Sequence, residues 1–213
     1  MQIKVKTITT ITILVLLLVV PPIIYSYVTK GYNNFIKLEV VGEKDNNGND
    51  HVIGDFSFIN QNSEIINQDS MLGNIYVADF FFTTCPGICI DMTRNMLKIQ
   101  KKILDNPNIM LLSFSVTPKI DSVAQLKKYA IEKGIKDSKW NLLTGDKKQI
   151  YTLARESYFV VKEGQGINSM IHTENFVLID PDKRIRGFYD GTNDEEILEL
   201  MDDIAILEEE YFP

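Results

Sequence analysis

Cysteine is nearly missing from this chain: two residues among 213, at positions 85 and 89. A fold stapled by several disulfides is thereby excluded. Positive charge is in deficit, with 22 Lys and Arg against 29 Asp and Glu and a net charge of -7. That balance argues against non-specific nucleic-acid binding, which needs a basic face. Internal repeats and low-complexity stretches are lacking too. What is present, 45% hydrophobic and 24% charged residues, suits one domain of ordinary size with an appendage.

The longest gap in charge runs from Thr7 to Thr29, around I-T-I-L-V-L-L-L-V-V-P-P-I-I-Y. A bilayer core of roughly 30 Å is crossed by about 20 apolar residues in a helix. Lys4 and Lys6 precede the run, and Tyr25 and Tyr27 suit its far interface. No small-x-small site follows that would favour a cleaved signal peptide. No cysteine before Cys85 is available to a lipoprotein signal. Pro21 and Pro22 would kink or end the helix near its exit. The expectation is a single uncleaved transmembrane helix within residues 1–29, with a short cytoplasmic stub and the remainder outside.

Residues 30–50 read as a linker and an incoming strand, and 51–213 as the folded domain. Ile53 to Asn62 alternates like a hairpin strand, while Asn74 to Phe82 is a nearly continuous apolar run, the pattern of a central buried strand. Met92, Met96, Ile99 and Ile103 have the spacing of an amphipathic helix. Asn108 to Val116 is a second buried strand, and Ser122 to Gly134 a helix closed by its glycine. Trp140 to Gly145 reads as a short strand and Asp146 to Tyr158 as a further helix. Glu174 to Gly191 reads as a hairpin turning at Pro181 and Asp182, and Asn193 to Glu209 as a last, acidic helix. Strands alternating with helices, then a hairpin and a helix, predict an α/β sandwich around a central sheet.

Cys85 follows the first buried strand, and Pro86 suits the first position of a helix, where its missing N–H costs nothing. A helix N-terminus carries partial positive charge and free N–H groups that favour thiolate over thiol. At i and i+4 the cysteines would share one face, with Cβ atoms about 6 Å apart. That spacing permits a disulfide or a shared metal ion and does not choose between them. A purely structural disulfide would close a loop of only a few residues, where chain-entropy stabilisation is least.

The run V-A-D-F-F-F-T-T-C-P-G-I-C (Val77 to Cys89), followed far downstream by S-M-I-H-T-E-N-F-V-L-I-D-P (Ser169 to Pro181), resembles the SCO/SenC family of membrane-anchored, thioredoxin-fold copper proteins. The family hallmark, C-P-x-x-C with a distant histidine ahead of a strand, falls here on Cys85, Pro86, Cys89 and His172. S-V-T-P-K-I-D (Ser115 to Asp121) and W-N-L-L-T-G (Trp140 to Gly145) also look like family blocks. The resemblance spans residues 53–191. Gly87, Ile90 and Thr117 stand where family members often carry Asp, Pro and Asp, and the changes at Gly87 and Thr117 remove negative charge from around the site.

The resemblance implies a thioredoxin-like sandwich with a central mixed sheet. It further implies copper, as Cu(I) or Cu(II), held by Cys85, Cys89 and His172. Two thiolates and one imidazole are a mostly soft set suited to Cu(I). A closed zinc site wants four protein ligands, and no fourth is evident. The implied role is a metallochaperone that assists assembly of the binuclear copper centre of a cytochrome c oxidase. Its partners would be the copper-centre subunit of that oxidase and a thiol reductant protein. The domain would face the extracytoplasmic, periplasmic side of a cell's inner membrane.

Asp79, inside the most apolar strand, supports a rival reading. Thioredoxins carry an aspartate similarly placed before their first cysteine, and a buried carboxylate near a thiol pair accepts a proton during exchange. Cys85 and Cys89 would then be the redox-active pair of an anchored thiol–disulfide oxidoreductase, with Asp79 as proton acceptor. Against this, the spacing is C-x-x-x-C, and His172 rather than a proline stands before the facing strand. His51, beside a polar loop, is given no role.

Overall fold

The structure, a computed structural model, describes residues 13–26, 37–160, 171 and 173–213. The chain divides into two units, Met1–Lys37 and Leu38–Pro213. In the first, residues 13–26 form a helix, α1, whose apolar side chains from Ile13 to Ile24 are exposed. Among the described residues no helix is long and apolar enough to cross a membrane. Lys4, Lys6 and Tyr27 of the predicted anchor lie outside the described residues, and so does His172.

The second unit is built around β3 (Ile75–Phe81), whose seven residues are all buried. The apolar run predicts this strand almost to the residue. β3 lies between β4 (Ile109–Ser115), parallel to it, and β6 (Asn175–Ile179), antiparallel to it. The other strands are β1 (Ser57–Asn60), β2 (Ile65–Asn67), β5 (Trp140–Thr144) and β7 (Ile185–Asp190). The order β2-β1-β5-β4-β3-β6-β7 makes one mixed sheet, with parallel pairs only among β5, β4 and β3.

Successive side chains of β3 serve two cores, as a period of two requires. Ile75, Val77 and Phe81 join the layer of α2 (Ile88–Lys102), α3 (Val123–Lys133) and α5 (Asp194–Tyr211). Tyr76, Ala78 and Phe80 join the opposite layer, which includes α4 (Lys147–Thr152). Ser122 caps α3 through Gln125 N–H, and Gly134 ends it with φ of 77°, the left-handed turn that glycine adopts without a Cβ penalty.

Three elements differ from expectation. The hairpin strand is only β1, and Ile53 and Phe56 are buried without strand pairing. The helix expected from Asp146 to Tyr158 is α4 followed by a π-helical turn, Leu153–Ser157. The helix at the cysteines begins at Ile88 with Gly87 as its cap, so Pro86 is not its first residue, and it holds Cys89 but not Cys85. The chain first makes a turn at Thr83 and Thr84, in which Cys85 N–H donates to the Phe82 carbonyl at 3.3 Å.

Candidate functional site

β3, β4 and β5 run parallel, so their C-terminal ends share one edge of the sheet, the usual place for a site in such folds. The cysteine loop leaves β3 there. A buried carboxylate, Asp121, clamps it to the loop that leaves β4. Asp121 accepts from Thr83 Oγ1 at 2.6 Å, Ser115 Oγ at 2.5 Å, Thr117 Oγ1 at 3.0 Å and Thr83 N–H at 3.3 Å. Gln125 on α3 adds a bond to Thr83 Oγ1 at 3.0 Å. The turn two residues before Cys85 is therefore fixed by side chains from β4, its loop and α3.

Both cysteines are free thiols; Cys85 is half-buried and Cys89 buried. Burial raises the Cys85 thiol, but the Cys89 S–H and the backbone N–H groups of Gly87 and Cys89 reach its sulfur and leave it below its ordinary value. The helix N-terminus thus favours the Cys85 thiolate from outside the helix rather than from its first turn. Cys89 is pushed up to about 12, first by burial and then by the adjacent Cys85. Its helical turn is held by Thr93, whose hydroxyl donates to the Cys89 carbonyl at 2.6 Å and meets the Tyr129 hydroxyl at 2.8 Å.

Asp79 lies on the same face of β3 as Val77 and Phe81, in the layer of α2, and its charge bears on Cys89 and Tyr129. Burial lifts its carboxyl to about 7, opposed by the Ser113 hydroxyl, which donates a short hydrogen bond to Oδ1. Trp140 Nε1–H in turn donates to Ser113 Oγ at 2.8 Å. The sequence singled out Asp79 but not Ser113, Trp140, Tyr129 or the clamping role of Asp121. The hydroxyls that precede the acid in S-V-T-P-K-I-D, Ser115 and Thr117, were the one available signal.

His51 Nε2 meets the Ser157 carbonyl at 2.8 Å, and its ring lies 4.3 Å from that of Phe159, a structural placement. Among the described residues no three His, Cys, Asp or Glu side chains are grouped to hold a metal ion. The structure brings Cys85, Cys89 and Asp79 into one neighbourhood; the third sequence-predicted ligand, His172, is outside the described residues.

The chain matches SCO1/SenC over residues 44–205. It belongs to the SCO1/SenC family. The SCO1 protein homolog of Bacillus subtilis (strain 168) is 34% identical over 152 residues, 70% of this chain and 79% of that protein. BsSco, a member of the Sco family of cytochrome c oxidase assembly proteins in which a disulfide switch has been identified, is 29% identical with a TM-score of 0.64, covering 78% of this chain and 95% of BsSco. Arabidopsis thaliana ScoI with copper bound is 26% identical with a TM-score of 0.59, covering 72% of this chain and 98% of that one. The α/β architecture of this SCO1/SenC member, with its mixed sheet, is accordingly thioredoxin-like.

Proposed function

We propose that this chain is a membrane-anchored copper metallochaperone that assists assembly of the binuclear copper centre of a cytochrome c oxidase. The observation that carries the reading is the pair of hydrogen-bonded free thiols, Cys85 and Cys89, at the sheet edge of a SCO1/SenC fold. As thiolates they would take copper, the cargo, with His172 giving an imidazole nitrogen. A three-ligand site leaves a coordination position open, which suits a protein that must release its ion. The topology supports a ligand from ahead of β6. That strand runs antiparallel to β3, with Ala78 opposite Val177, so Thr173 and Glu174 lead into β6 at the edge from which the cysteine loop leaves. Copper-bound Arabidopsis ScoI supports the choice of metal.

The test is copper retention. The reduced wild-type chain should hold copper through desalting, and His172→Ala should weaken binding by at least about tenfold. Wild-type affinity in His172→Ala would remove the histidine from the site and overturn the three-ligand reading.

The asymmetry of the thiols favours thiol–disulfide exchange as a second reading. Cys85 thiolate attacks a partner disulfide, forming a mixed disulfide and releasing one partner thiol. Cys89 then gives its proton to Asp79 and attacks Cys85 Sγ, releasing the second partner thiol. Two electrons pass to the partner, Cys85 and Cys89 end as a disulfide, and a thiol reductant protein restores them. Only the reduced pair offers two thiolates to copper, so the activities alternate on one site.

The anchor belongs to the same reading. The uncharged run from Thr7 to Thr29 and the exposed apolar side chains of α1 support one span in the inner membrane, with the domain on the periplasmic side. A membrane-impermeant maleimide applied to intact cells is expected to modify Cys85 and spare Cys89. Labelling that begins only after lysis would place the domain on the cytoplasmic side and defeat the proposed orientation.

A further inference from the structure

Charge is unevenly spread over the domain. α5 carries nine acidic residues and no Lys or Arg, and it packs in the layer of α2 and α3. On the other side, Lys119, Lys147, Lys148 and Arg155 line one cavity of about 630 Å³ with Tyr151. The Tyr151 ring organises two of these cations: Lys147 Nζ lies 4.7 Å and the Arg155 guanidinium carbon 5.5 Å from its centroid. The ring is fixed in turn by a hydrogen bond from its hydroxyl to the Val116 carbonyl at 3.1 Å. Asp146 is the one acid among the described lining residues, and its Oδ1 already accepts Gln149 N–H at 2.9 Å. Among the described residues, Lys119, Lys147 and Lys148 have no carboxylate partner.

This basic surface borders the cysteine loop. Lys119 sits in the turn that Asp121 ties to Thr83, and α4 follows β5 at the shared C-terminal edge. Two strand spacings, about 10 Å, separate the end of β5 from the end of β3. Ile88, Ile90 and Ile120 are exposed at the same edge, so Cys85 has apolar residues beside it and positive charge to one side. On a protein of net charge -7, a cluster of cations without carboxylate partners gives an acidic partner a favourable place to approach.

We propose that Lys119, Lys147, Lys148 and Arg155 form a docking surface for an acidic face of the protein that exchanges copper or electrons with Cys85. The proposal rests on the reading of Cys85 as an exchanging group and adds the chemistry of its partner. A protein is favoured over an anionic lipid surface because the patch and Cys85 share one edge. A membrane seated there would cover the thiol that has to stay open.

The test uses the full-length chain in neutral detergent and two dye-labelled peptides of equal length, one alternating Glu and Ser, the other Gln and Ser. The Glu peptide is expected to bind about tenfold tighter at low salt, to lose that advantage as salt rises, and to slow alkylation of Cys85. The triple variant Lys119→Gln, Lys147→Gln, Lys148→Gln should lose the preference and the shielding while retaining copper as the wild type does. Equal binding of the two peptides, or Glu-peptide binding that leaves Cys85 alkylation unchanged, overturns the docking surface. So does a triple variant that keeps its peptide preference but no longer binds phosphatidylglycerol vesicles, which assigns the patch to lipid. A wild type that is shielded by the Glu peptide yet holds no copper upholds the docking surface and defeats the metallochaperone reading alone.

Discussion

Asp180→Ala is expected to destabilise the folded domain by about 3–5 kcal/mol, read as a shift of the urea midpoint at unchanged slope. The Asp180 side chain is fully buried and satisfies two kinds of partner at once. Oδ1 accepts the N–H groups of Asp182 at 3.0 Å and Arg184 at 2.9 Å, which closes the turn between β6 and β7. Oδ2 accepts from Arg184 Nε, Arg186 Nη1 and Tyr211 Oη, each at 2.9 Å. Arg186 also donates to the Leu38 carbonyl at 2.7 Å and to Glu210 at 2.9 Å. One carboxylate therefore joins the hairpin next to β3 to both ends of the unit. Removing it strands the Arg186 guanidinium, whose side chain is only 2% exposed, with Glu210 as its remaining acid. Asp180→Asn keeps an acceptor for the two backbone N–H groups but loses the charge, so it should fall between wild type and alanine. A loss below about 1 kcal/mol in Asp180→Ala would show that the network contributes little.

Asp79→Asn should swing the stability difference from wild type by about 4 kcal/mol in the variant's favour between pH 4 and pH 8. In the unfolded chain this carboxyl ionises near its ordinary 3.8; in the folded protein burial delays ionisation to about 7. Below 3.8 both states hold the proton and the group is neutral to stability. As pH rises from there, the unfolded chain releases its proton first, so wild-type stability falls until about 7 and then levels off. Asparagine does not titrate, and its amide oxygen still accepts from Ser113. Urea unfolding at the two pH values checks this, and a difference that stays flat would refute the raised carboxyl. An acid that costs the fold this much is in keeping with a chemical task. If the task is to take the proton from Cys89, Asp79→Asn will also slow disulfide exchange while leaving Cys85 alkylation near the wild-type rate.

Much of the framework was legible because burial writes itself into local pattern. β3 and β4 emerge from apolar runs, α3 from its periodicity and closing glycine, and the last hairpin from its Pro-Asp turn. The resemblance named Cys85, Cys89 and a thioredoxin-like sheet for the same reason: the cysteine part of its motif is contiguous. What escaped was non-local. Asp79 is satisfied by Ser113 and, through it, Trp140, residues on two other strands. Pro86 looked like a helix start, yet the chain turns at Thr83 and Thr84, where Asp121 clamps it, and the helix starts only at Ile88. The antiparallel insertion of β1 beside β5 is likewise a pairing that no periodicity within either strand encodes.

The layer that encloses Cys89 is completed by Ile197, Leu200, Ile204 and Leu207 of α5, and Asn95 of α2 bonds the Gly191 carbonyl at 2.8 Å just before that helix. A chain made from its N-terminus therefore presents both thiols before α5, which completes their layer, has been made. An oxidant met during that interval can reach the inner sulfur as well as the outer one.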